Sequence, residues 1–192
     1  MPTIFGVASV IFTLLATVPY LVAVLRGKIR PHPFTWFVWS IIAGFVSFVQ
    51  NSEGAGHGSW LLTTFTIFGL IIFIASIKYR TPDIHYTDWI AVTTSMLCFV
   101  LYFFFGQVGV SIILITLIDV IAFYPTIRKS KKKPHREGTG LPGFLVLAYI
   151  CSLASMGEYS IATITYPVTM VFMYSLTFFW VSYWRKNSGT SN

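Results

Sequence analysis

Charge is what this sequence has least of. Asp and Glu together number 6 in 192 residues, Lys and Arg 13, and charged residues make up 10% of the chain against 55% hydrophobic. Soluble domains carry about 25% charged residues, so the composition excludes an ordinary water-soluble globule and points to an integral membrane protein. The net charge of +7 therefore does not read as nucleic-acid binding. Cysteine is almost missing: Cys98 and Cys151 both fall in apolar runs, which excludes a disulfide framework and leaves them as small apolar fillers. No apolar run has a Lys in its interior, which excludes a retinal-type Schiff base. No two of His32, His57, His85 and His135 share a run at ligand spacing, so neither an intramembrane haem nor a metal is expected, and no other cofactor is implied. No run places a nucleophile beside a base, and Asp119 has no second acid in the apolar interior, so the chain is not expected to be an enzyme. The first run lacks both a basic n-region and a small-residue cleavage pattern; it reads as a mature span and not as a signal peptide.

What is there is apolar length. Runs of spanning size cover Thr3 to Leu25, Phe34 to Asn51, Ser59 to Ile77, Thr87 to Phe105, Val108 to Pro125, Leu141 to Gly157 and Ser160 to Trp184, which predicts seven transmembrane helices. The connections after the second, fourth and sixth runs contain no Lys or Arg. Every basic residue falls on the other side: Arg26, Lys28 and Arg30; Lys78 and Arg80; Arg128, Lys129, Lys131, Lys132, Lys133 and Arg136; Arg185 and Lys186. Basic residues stay cytoplasmic, so the N-terminus is expected outside and the C-terminus inside a cell (plasma or inner) membrane. The cluster 128–136 reads as a topology determinant and a contact for anionic lipid, worth about 1 kcal/mol per basic residue near a charged leaflet.

The stretch Val108 to Arg136 organises the rest. Asp119 lies inside its apolar part, nine residues before Arg128, hence roughly 13 Å from the basic edge and close to the middle of a hydrocarbon layer about 30 Å thick. An acid at that depth costs at least about 2.5–3.5 kcal/mol unless it faces protein or water, and such residues are functional by default. The bland alternative is a buried acid hydrogen-bonded to Thr116 or to Tyr20. Pro125 is expected to interrupt the helix near its charged end.

A weak internal repeat runs through the chain. Pro19 matches Pro125, Arg30-Pro31-His32 matches Lys133-Pro134-His135, and Ser59 with Thr63 and Thr66 matches Tyr159 with Thr163 and Tyr166, at offsets of 106, 103 and 100. The expected organisation is an all-α membrane protein in a 3+1+3 arrangement. A first three-helix bundle covers 1–80, a linker helix 81–106 and a second bundle 107–186, with a short cytoplasmic tail at 187–192. Two units in the same orientation need that linker, because three crossings leave the chain on the wrong side to begin again. Pro19, Pro125 and Pro167 lie inside spans, where a freed carbonyl is tolerated only if neighbours or water satisfy it. They read as hinges.

In this layout the chain resembles the PQ-loop and SWEET-like superfamily, as a divergent bacterial-type member. Its dipeptides late in the first and fifth helices are Pro19-Tyr20 and Pro125-Thr126, both without the glutamine of that family. Pro33 and Pro142, at the starts of the second and sixth spans, look like the other two members of the four-proline set of SWEET sugar facilitators. The resemblance implies a substrate site between the two bundles near the midplane, gated by Pro19, Tyr20, Pro33, Pro125, Pro142 and Pro167.

The candidate substrate-binding residues are Asp119, Trp39, Trp36, Trp60, Thr63, Thr66, Tyr166 and Thr169. Trp36 and Trp39 share a helical face and can stack on a sugar ring or a base; Trp36 and Trp60, near span ends, equally suit an interfacial belt, which leaves Trp39, deeper by almost a turn, as the better pocket candidate. The threonines either line a polar path or bond their own backbone. The reading is a carrier for a small neutral or cationic, hydroxyl-bearing solute such as a sugar or nucleoside, proton-linked through Asp119. PnuC-type vitamin carriers are the rival within the class. A ligand-binding receptor or sorting protein of the same fold is the alternative. Oligomeric state is open, and a homo-oligomer is compatible with the sequence.

Overall fold

The computed structural model describes residues 1–29, 31, 33–78, 93, 97, 100–132 and 140–188, the side chains at 122–132 and 188 excepted. Helices follow one another as α1 (Pro2–Leu25), α2 (Pro33–Ser52), a 3-10 turn (Gly56–Ser59) leading into α3 (Trp60–Ser76), α4 (positions 93, 97 and 100–105), α5 (Val108–Lys132), α6 (Gly140–Ala154) and α7 (Ile161–Ser188). No strand occurs among the described residues. Four segments, Pro2–Leu25, Pro33–Ser52, Gly56–Ser76 and Ile161–Asn187, are long and apolar enough to cross a membrane, and Val108–Ile121 and Gly140–Ala154 are shorter apolar helices. Twenty residues at 1.5 Å rise reach about 30 Å, the thickness of a hydrocarbon layer.

Most boundaries fall within a few residues of those the apolar runs predict. The exception is the expected break at Pro125: α5 continues helical to Lys132. One proline removes one backbone hydrogen bond and crowds one carbonyl, which bends a helix and need not end it. Pro19 and Pro167 likewise sit inside continuous helices.

The first helix shows why this sequence packs as it does. Ile4, Val7, Ile11, Leu15, Val18, Val22 and Leu25 recur every three or four residues and are all exposed, while the opposite face buries Gly6, Ser9, Thr13, Ala16 and Thr17. A helix in water would do the reverse. The distribution is the one expected of a helix in an apolar medium, where small residues that permit close approach go inside and large apolar ones stay outside. The buried hydroxyls are satisfied locally: Ser9 donates to Gly6 O at 2.7 Å, Thr13 to Ser9 O at 2.8 Å and Thr17 to Thr13 O at 2.7 Å.

Packing groups the helices. α3 runs along both α1 and α2, and α7 along both α5 and α6; the main contact between these groups is α1 on α6, with lighter contacts of α2 with α5 and α7. α4 covers α2, where Tyr102 meets the rings of Phe45 and Phe48 edge-on at 5.5 and 6.0 Å and Phe103 lies 5.9 Å from Phe48.

Candidate functional site

Asp119 projects from α5 toward α7, where Tyr166 donates its hydroxyl to Asp119 Oδ2 at 2.6 Å. The acid is 5% exposed, so it faces protein. Its partner is not the Thr116 of the bland reading: Thr116 turns its hydroxyl back to Ile112 O at 2.6 Å. Two further tyrosines complete the surroundings. The Tyr149 ring from α6 lies 6.4 Å from that of Tyr166 and stacks on Tyr174 at 5.9 Å and 20°. One carboxyl and three buried phenols thus gather among α5, α6 and α7. When the carboxyl is ionised such a bond is charge-assisted and stronger than a neutral one. Chemically the cluster can hold a proton or accept from a solute hydroxyl or amine.

The tryptophans separate. Trp36, near the start of α2, is 4% exposed and packs against Tyr20 at 5.0 Å, Trp39 at 5.6 Å and Phe65 at 6.2 Å, so the interfacial-belt alternative does not hold for it. Trp39, the half-buried neighbour, meets the edge of Trp36. Trp60 is 38% exposed beside His57, ring centroids 4.6 Å apart, apart from the cluster around Trp36.

The threonines mostly serve their own helices. Thr66 donates to Leu62 O at 2.7 Å and Thr169 to Thr165 O at 2.8 Å, while Thr63 shares a 2.7 Å hydroxyl contact with Ser47 that ties α3 to α2. Thr66 also lines an open groove of ≈ 330 Å³ on the surface between α2, α3 and α4, bounded by Ser40, Gly44, Phe48, Leu70 and Phe103. Neither Asp119 nor Trp39 borders that groove. Of the proline set, Pro167 is buried within α7, Pro142 is buried in the first turn of α6, Pro33 is the half-buried first residue of α2 and Pro19 is exposed. The Pro125 side chain and the cluster 128–136 lie outside the described side chains.

Tyr149, Tyr174 and Gln50 are the residues that pattern reading passed over. Tyr166 and Tyr174 are eight apart, close to one helical face, and that spacing was the available signal for Tyr174. Tyr149 sits mid-run without any comparable cue.

Comparison adds no relative. The chain matches no family model, no curated protein and no solved structure.

Proposed function

We propose that this chain is a seven-span membrane carrier that moves a small neutral or cationic, hydroxyl-bearing solute by alternating access, in the manner of the PQ-loop and SWEET-like layout its sequence resembles. The observation that carries the reading is the Asp119–Tyr166 pair: an acid held by a phenol inside an apolar helical bundle. Intramembrane acids face the bundle interior where solute or proton pathways run. Support comes also from the packing, since α3 joins α1 to α2 as α7 joins α5 to α6, the pattern of a repeated three-helix unit with α4 between the copies. Two such units rocking against each other provide alternating access. On this reading the basic connections face the cytoplasm of a cell membrane, and 128–136 meets anionic lipid.

The test is uptake of glucose, uridine and serine into proteoliposomes at two pH values. Flux of one solute that responds to pH supports a proton-linked carrier. Absence of flux for all three counts against transport, and a solute that raises thermal stability without crossing favours a receptor of the same layout.

A further inference from the structure

Pro167 lies inside α7, and a proline nitrogen carries no hydrogen, so the carbonyl four residues earlier, Thr163 O, lacks its α-helical donor. In a water-free interior such a carbonyl must be satisfied from elsewhere. The donor comes from the other group of helices: Gln50 of α2 gives its Nε2–H to Thr163 O at 2.9 Å. A carbonyl only accepts, so this bond sets which end of the amide is nitrogen. Gln50 is 0% exposed, and its Oε1 is buried with no donor among the described residues.

A counterpart runs the other way. Ser152 of α6 donates its hydroxyl to Gly58 O, in the turn before α3, at 2.6 Å. Gln50 and Ser152 each stand two residues before the last residue of their helices. Each group therefore reaches, from the end of its second helix, to the start of the third helix of the other. Between these bonds the two connections pair through main chain, Gly157 N–H to Ala55 O at 3.0 Å and Glu158 N–H to Gly54 O at 3.1 Å. A Cβ on Gly157 would stand 2.7 Å from Gly54 O, so glycine at 157 is what permits the approach; Gly54, at φ 80, has a left-handed backbone that a side chain adopts only with strain.

We infer that these four hydrogen bonds form a latch closing the end of the molecule that lacks Lys and Arg, with Gln50 on the proline-freed carbonyl as its release point. Its use as a gate rests on the carrier reading. The closed arrangement is shallow by construction. Opening lets water reach Thr163 O and also Gln50 Oε1, an acceptor that the closed state leaves unsatisfied. No bending of α7 is required; the carbonyl that Pro167 leaves without a helical donor supplies the docking point.

The test uses the full chain in liposomes with Cys98→Ala and Cys151→Ala, and a reporter at Ser47→Cys, a buried position one turn inward from Gln50. A membrane-impermeant maleimide is applied from the side of the latch. Gln50→Ala should speed labelling about fivefold, the factor for losing one net hydrogen bond. Pro167→Ala, which supplies an N–H to Thr163 O, should give a similar rise, and the two together no more than either alone. Rates unchanged by both substitutions overturn the latch. In the same background without the reporter, Gly54→Cys with Glu158→Cys tests the gate. A Cβ on Gly54 lies 3.4 Å from Glu158 Cβ, near the roughly 3.5–4.5 Å of a disulfide. Oxidation should stop uptake of glucose, uridine or serine and reduction should restore it. Complete cross-linking with uptake continuing overturns the gate while leaving the carrier reading standing. Faster labelling with Gln50→Ala in a protein that takes up none of the three solutes keeps the latch and sinks the carrier reading. If the paired cysteines prevent folding, the labelling rates decide alone.

Discussion

Tyr166 Oη lies 2.6 Å from Asp119 Oδ2, and the next residue along α7 is Pro167. The acid thus holds α5 to the turn of α7 where the helix loses a backbone bond, and Gln50 of α2 docks on the same turn through Thr163 O. An acid, a proline and a contact between the two helix groups share about one helical turn. Whatever changes the state of the carboxyl acts next to the point where the groups join.

Substitution at this pair should separate chemistry from folding. Asn at 119 still accepts from Tyr166, so Asp119→Asn should unfold within about 1 kcal/mol of the native protein, the scale of one net hydrogen bond. Tyr166→Phe removes the donor from a buried carboxyl and should cost about 1.5–3 kcal/mol. Thermal unfolding in detergent measures both. In proteoliposomes Asp119→Asn should lose pH-responsive uptake; a response that persists removes Asp119 from the mechanism.

Burial orders the tryptophans. Trp36→Ala deletes the centre of the Tyr20, Trp39 and Phe65 contacts and should destabilise by about 3–5 kcal/mol, the usual range for a buried aromatic. Trp60→Ala, on an exposed ring, should cost less than about 1 kcal/mol. Equal losses for the two would contradict the packing described above.

A tighter prediction concerns α2 against α3. A Cβ at Gly69 would collide with Ser40 Oγ, which donates to Trp36 O at 2.6 Å. Gly69→Ala should therefore destabilise by about 1–3 kcal/mol, as overpacking does. Adding Ser40→Ala should recover most of that loss, a coupling that a double-mutant cycle in thermal unfolding reads directly. Additive losses would show that the two residues are not in contact.

Sidedness is testable without any solute. In intact cells, an impermeant maleimide should modify Glu158→Cys and should reach Ser130→Cys only after permeabilisation, because the basic connections stay inside. The reverse pattern would invert the topology.

Much of the architecture was legible because a chain this apolar has few ways to fold. A chain with so few charges cannot coat itself for water, and every backbone group in hydrocarbon must be paired, so long apolar runs had to become helices. The lone acid at 119 and the proline at 167 were visible for the same reason: each breaks a rule of an apolar interior, and each announces a group needing a partner. Trp36 and Trp39 could be placed on one face by their spacing, but depth along the run favours Trp39 as the inward ring, and the structure buries Trp36 instead, since a shared face does not say which ring turns inward.

The sequence by itself determined that helices would form, roughly where they begin and end, that the molecule has a basic end and an end without Lys or Arg, and that an acid and a proline-freed carbonyl would need company. Only the tertiary structure decided who supplies it. Tyr166 answers Asp119 from 47 positions away and Gln50 answers Thr163 from 113. Such choices depend on how each helix is rotated about its axis. That rotation is set by the packing of neighbouring surfaces and leaves no period in the sequence from which it could be read.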